Sequence, residues 1–373
     1  MPDADLPAFA GNTSPAVSAE PGPRIEEPAD GAGAPGHPPP DPVDGAAAPP
    51  DGRGVPTARR DRRGPAGLTL SAAALTCFLL VALLGPSVMQ PVLPGSAGQP
   101  PYSLVAHPSA HLVIALTVAG VVLAVAGLAL CALAARRGWM FRPRLLLVAG
   151  AVAAGAFALM PPVGSADHLN YAAYGRMAVT GNDPYVTTAR SLPADPVAHA
   201  VQDWRDTPTV YGPIATAQQT FASLVGGTSV RLTVFVMSLT NALAFVAAGL
   251  LLYRTARGDP RRELRAVLLW IANPLLLFEL VGGAHNDVLA IAFAVAGLVA
   301  FGLPDPLRPR PRDGRSVSRC VSAGILIGAG AAIKINVAIA GGGPLLVLVA
   351  EWWRTRGTGE AGHRTGLGPT AAR

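Results

Sequence analysis

Asp167 follows directly on the apolar run 145–163 and opens the segment Asp167-His168-Leu169-Asn170-Tyr171-Ala172-Ala173-Tyr174-Gly175-Arg176. A carboxylate at that place, close in sequence to no cation but Arg176, is suited to take a proton from a hydroxyl. The spacing from Asp167 to Tyr171, Tyr174 and Gly175 is helical and sets these groups along one face. Aromatic rings beside a carboxylate offer stacking surfaces for a sugar. The same residue types also make a helix cap and an interfacial aromatic belt, so the local pattern leaves both readings standing. Gly181-Asn182-Asp183-Pro184-Tyr185 reads as a turn. Trp204 to Pro213 reads as a second ordered stretch, carrying Tyr211.

Two further groups invite chemistry. His285-Asn286-Asp287 forms the tip of a hairpin beside Glu279, which lies within an apolar run. Turn formation accounts for such a tip. Ionisable groups at membrane depth, however, ordinarily face a cavity or a partner. His285 and Asp287 are candidate ligands for a divalent cation, the one cofactor these residues suggest, although two ligands do not define a site. Lys334 is the single lysine among 29 basic residues and falls in an apolar run. An ammonium there costs about 2.5–3.5 kcal/mol on insertion scales. It either snorkels to the interface or holds a lipid phosphate.

The elements that position these groups follow from composition. Half of the 373 residues are hydrophobic and 14% are charged, against roughly 25% charged in soluble proteins, and the mean hydropathy is +0.38. The runs 68–88, 110–134 and 231–252 each reach the ~20 residues that cross a bilayer. The expected class is therefore an all-α polytopic membrane protein. The net charge of +6 does not imply nucleic acid, because the arginines sit in short connectors between apolar runs. Cys77, Cys131 and Cys320 form no motif and read as small apolar residues.

Residues 1–66, rich in Pro, Ala, Gly and Asp, are expected to be a disordered cytoplasmic tail. Arg59, Arg60, Arg62 and Arg63 hold that tail inside. Spans 68–88, 110–134 and 145–163 then lead to a long external segment, about 164–228. Spans 231–252, 266–283 and 288–303 follow, and every arginine cluster, including Arg308 to Arg319, falls on one side. The stretch 320–350 is expected to run as a span to about 340, break at Gly341-Gly342-Gly343-Pro344, and resume as a half-helix ending at Trp352-Trp353. The organisation is thus a tail (1–66), a transmembrane domain (67–353) and a polar tail (354–373).

Taken in order, these stretches resemble the bacterial polyprenol-phosphomannose-dependent α-1,6-mannosyltransferases of the MptA/MptB type, within the GT-C superfamily. The resemblance rests on Asp167 with Tyr171, Tyr174 and Gly175, on Gly181 to Tyr185, and on Pro208 with Tyr211-Gly212-Pro213. It continues through Asn273-Pro274, Glu279 to Asp287, and Ala331-Ala332-Ile333-Lys334. It covers about 150–345. It implies a GT-C-like helical bundle in the plasma membrane with its site facing outward, a polyprenyl-phosphate sugar donor and a glycolipid acceptor. It implies Asp167 as the base, with Tyr171, Tyr174, Arg176, Tyr185, Tyr211, Glu279, His285, Asn286, Asp287 and Lys334 around the substrates. His168 stands where the superfamily often has a second acidic residue. Family chains usually carry further spans after the lysine helix, so a C-terminally truncated form is expected. A lipid-linked sugar transporter and a non-catalytic membrane partner are the readings from other classes.

Overall fold

The computed structural model describes residues 62–96, 98–302 and 316–363, with side chains up to Trp353. Residues 1–61 of the expected N-terminal tail and the cluster Arg308, Arg310, Arg312 and Arg315 lie outside the described residues, whereas residues 63–66, also assigned to that tail, form the first turn of a helix. Among the described residues the protein is helical throughout, with one isolated bridge between Ser87 and Gln90. It is an all-α, multi-span membrane protein.

Helix α1 (Arg63–Leu84) and α2 (Ala110–Arg136) form an antiparallel pair. Small residues let their backbones approach: a Cβ on Gly67 would stand 2.7 Å from the Gly127 carbonyl. Such contacts replace the hydrophobic drive that hydrocarbon cannot supply between helices. Helix α3 (Pro143–Ala158) is shorter than the ~20 residues of a full span. The segment 164–228, expected to be external, is itself folded, into α4 (Asp167–Val179), the short α5 (Pro196–His199) and α6 (Pro213–Gly226). Helix α7 (Val230–Ala256) returns across the bundle.

The next span is composite. Helix α8 (Pro260–Leu269) ends at Trp270, whose indole donates to the Phe245 carbonyl at 2.9 Å. Asn273 then caps the short α9 (Pro274–Leu276), which passes into a π-helical turn, Leu277–Gly282. Helices α10 (Asp287–Phe301) and α11 (Val317–Ala331) complete the hairpin.

The break in the last apolar stretch differs from expectation. It falls at Ala332–Lys334, about two helical turns before the glycine run. A 3-10 segment (Ile335–Gly341) and α12 (Gly342–His363) follow. The reason is tertiary. The carbonyls of Ala332 and Ile333 accept from the backbone N–H groups of Ile214 and Gly212, so the segment 164–228 takes the bonds that would have continued the helix. Gly342 and Pro344 lie instead in the first turn of α12, where proline's missing N–H costs nothing. Residues 354–363, assigned above to the polar tail, continue that helix.

The main apolar core is built from α1, α2, α3, α7, α8 and the π turn, with Phe78 stacked on Phe278 at 4.2 Å. A second core lies under α4 and includes Leu169, Tyr171, Met177, Val197, Val234 and Met237.

Candidate active site

Three hydrogen bonds, two backbone and one from a side chain, bring the polar groups together. The chain leaving α3 is fixed where Val163 donates to the Gly282 carbonyl and Gly164 to the Met89 carbonyl. That anchors the start of α4, and hence Asp167, at the end of the π turn. On the other side, Asn241 of α7 donates its amide to the His285 carbonyl at 3.2 Å. A π turn adds one residue to the helical repeat and is frequent at functional sites. Here it turns Glu279 outward while Leu277, Phe278, Leu280, Val281 and Gly282 stay buried. Ala284 follows in the left-handed region at φ +53°, uncommon for a residue with a Cβ.

His285 consequently lies between two carboxylates. Its Nδ1 is 3.9 Å from Asp167 Oδ2 and its Nε2 is 3.8 Å from Glu279 Oε1. Lys334, at the break after α11, donates to both oxygens of Asp287 at 2.8 Å. The side chains of Asp167, Asp287 and Lys334 are about one-third exposed and Glu279 two-thirds. The cluster therefore opens to solvent or ligand at one end of the bundle.

Several residues expected around a substrate hold the scaffold instead. Tyr171 and Tyr174 are buried, so their rings offer no open stacking face. The Tyr171 and Tyr211 hydroxyls share a hydrogen bond of 3.0 Å with rings edge-to-face, and Tyr174 donates to the Thr207 carbonyl. Burial pushes the Tyr171 hydroxyl well up and Tyr174 to about 12. Tyr211 also rises; burial dominates, opposed by the Tyr171 hydrogen bond and Lys334 and reinforced by Asp167 and Asp287. Arg176 is engaged by Asp195 at 2.9 Å. Burial works against that carboxylate, but Arg176 and the N–H groups of Ala198 and Val197 outweigh it and hold Asp195 below its ordinary range. Tyr185 is exposed and bonds Thr216.

Both oxygens of Asp287 are directed to Lys334, and among the described residues no group of three or more His, Cys, Asp or Glu is arranged to hold a metal. Asn286 is buried with neither amide atom paired within the protein.

Sequence reasoning noted His168 only as a departure from the superfamily's pattern and passed over Asn241. His168 is fully buried with both ring nitrogens unpartnered. Burial, then the neighbouring His285, lowers it to about 3. Asn241 showed only as a polar residue inside an apolar run, which is itself the signal of an internal partner.

Comparison with known proteins adds the lineage. The model of a family described as alpha-(1->6)-mannopyranosyltransferase, N-terminal domain, matches residues 70–352. An alpha-(1->6)-mannopyranosyltransferase A of Corynebacterium glutamicum is 28% identical over 179 residues, covering 48% of this chain and 34% of the relative. A probable alpha-(1->6)-mannopyranosyltransferase of Mycolicibacterium smegmatis is 30% identical over 224 residues, covering 54% and 39%. The B protein of C. glutamicum is 30% identical over 143 residues, covering 38% and 24%. The chain thus spans about a quarter to two-fifths of the length of these curated relatives. No solved structure matches it.

Proposed function

Because this chain belongs to the alpha-(1->6)-mannopyranosyltransferase family of the MptA/MptB type, we propose that it transfers mannose from a β-linked polyprenyl phosphate to a hydroxyl of a cell-envelope glycolipid, at the outer face of the plasma membrane. The observation that carries this reading is that the Asp167–His285 and Asp287–Lys334 pairs, from three distant parts of the chain, both lie close enough to Tyr211 to act on its hydroxyl. Such a transfer needs a base for the acceptor and positive charge for the departing phosphate.

In this scheme Asp167 takes the proton of the acceptor hydroxyl. The oxygen attacks the anomeric carbon from the face opposite the phosphate. The bond from that carbon to the phosphate oxygen breaks with its electron pair, so the configuration inverts to α. Lys334 stabilises the charge that develops on the phosphate, and His285 holds the Asp167 carboxylate in place. Tyr171, Tyr174 and Arg176 act one layer back, keeping α4 fixed.

The test is transfer from polyprenyl-phosphomannose in membranes. Asp167→Asn keeps the size of the side chain but removes the basic lone pair, so transfer should fall about 10²–10⁴-fold with the amount of inserted protein unchanged. Asp167→Glu should retain a little. Undiminished transfer by Asp167→Asn would move the base elsewhere, Asp287 being next. A wild-type chain that transfers no sugar would favour a non-catalytic partner or a carrier of lipid-linked sugar.

A further inference from the structure

Lys334 is held by Asp287 through both carboxylate oxygens, and this pair stands where the scheme above, on which the inference rests, needs a free cation. The pair is about one-third exposed on both sides and faces the open end of the site. An entering anion can therefore reach it. Two arginines of the segment 164–228 are already engaged, Arg176 by Asp195 and Arg190 by Asp206.

The charge of the incoming group decides what such a competitor does. A sugar donor on polyprenyl phosphate is a phosphodiester and carries one negative charge. The leaving product is a monoester, which carries about −1.5 to −2 near pH 7. The product therefore binds an ammonium more tightly than the substrate does, and a site with a free lysine would be held by its own product. We propose that Asp287 is a built-in competitor for Lys334 that weakens the hold on the monoester and so sets product release. It acts twice. Reforming the pair with Lys334 draws the ammonium away from the phosphate, and while displaced the Asp287 carboxylate repels the dianion beside it. Glu279 and Asp167, nearby on the His285 side, add to that repulsion.

The prediction is specific to charge and to lipid. In the full chain in detergent, farnesyl phosphate serves as the monoester probe, its methyl ester as the diester and inorganic phosphate as the headgroup-free anion. Asp287→Asn should bind farnesyl phosphate roughly ten- to a hundredfold more tightly than wild type, the range of a charge-assisted hydrogen bond released for another partner. It should bind the methyl ester only a fewfold more tightly. Lys334→Met should abolish the gain in the double variant. Asp287→Glu, which keeps a carboxylate, should stay near wild type. Thermal unfolding of each variant separates loss of the site from loss of the fold.

Equal or weaker binding by a folded Asp287→Asn protein overturns the inference, as does the same gain for monoester and diester. Inorganic phosphate displacing farnesyl phosphate at equal concentration overturns the lipid-linked ligand. None of these measurements involves mannose or an acceptor. Tighter monoester binding in a chain that transfers no sugar would therefore sink the transfer reading and the role in product release, and keep Asp287 only as a competitor for a lipid monoester. In an active chain, Asp287→Asn should show one fast turnover followed by slow product release.

Discussion

At the residue scale the informative side chain beside the proposed base is His168. It is fully buried, and burial together with His285 lowers it to about 3, against about 6.5 for a free imidazole. The sign follows from proton uptake. Above pH 6.5 neither state binds the proton and the stability is whole. Below it the unfolded chain accepts a proton that the folded one refuses, so stability falls until pH reaches the folded value. The slope through that window is about 1.4 kcal/mol per pH unit. His168→Phe should remove it. Thermal unfolding in detergent at pH 7 and pH 5 checks this: wild type should lose several degrees more than the variant. Equal losses would show that His168 is not the group responsible.

At the element scale the site depends on how closely α4 packs on α6. A Cβ on Gly175 would stand 2.1 Å from the Gln219 carbonyl oxygen, and one on Gly212 would stand 2.2 Å from the Ala332 carbonyl oxygen. Both obstacles are backbone and cannot rotate away. Gly175→Val should therefore cost about 1–3 kcal/mol, as overpacking does, and tilt α4 with its Asp167. In the transfer assay it should lower activity well beyond the loss of folded protein. Gly181→Ala serves as a control for added bulk, since a Cβ there meets nothing within 4 Å, although its positive φ of 80° carries a modest strain. Normal activity in Gly175→Val would mean that α4 tolerates displacement and that the site is less precise than its contacts imply.

At the scale of the molecule the question is which end faces out. Asp167, His285, Asp287 and Lys334 gather at the end opposite Arg136, Arg137, Arg142, Arg254 and Arg257, which flank the other ends of α2, α3 and α7. Arginine-rich connectors stay in the cytoplasm, so the cluster should lie outside. Ser191 and Gly258 are exposed at opposite ends of this arrangement. In a background with Cys77, Cys131 and Cys320 replaced, an impermeant thiol reagent on intact cells should modify Ser191→Cys and spare Gly258→Cys. The reverse pattern would turn the molecule over and remove the outer active site with it.

The spans were legible in the sequence because a bilayer imposes a local rule: every stretch inside it must be apolar and satisfy its own backbone. That rule acts on consecutive residues, and so α1, α2 and α7 stand close to where hydropathy puts them. The helical spacing that links Asp167, Tyr171 and Tyr174 was legible for the same reason. What each polar group meets was not, since partners come from distant parts of the chain. Lys334 read as a lone cation in an apolar run, and only the tertiary structure supplies Asp287, 47 residues away, as its partner. Tyr171 read as an open stacking ring, and the fold spends its hydroxyl on Tyr211. The break before Lys334 went to the wrong residues for a related reason. Glycine and proline mark where a helix can stop by itself, whereas this helix stops where Gly212 and Ile214 take the carbonyls of Ile333 and Ala332.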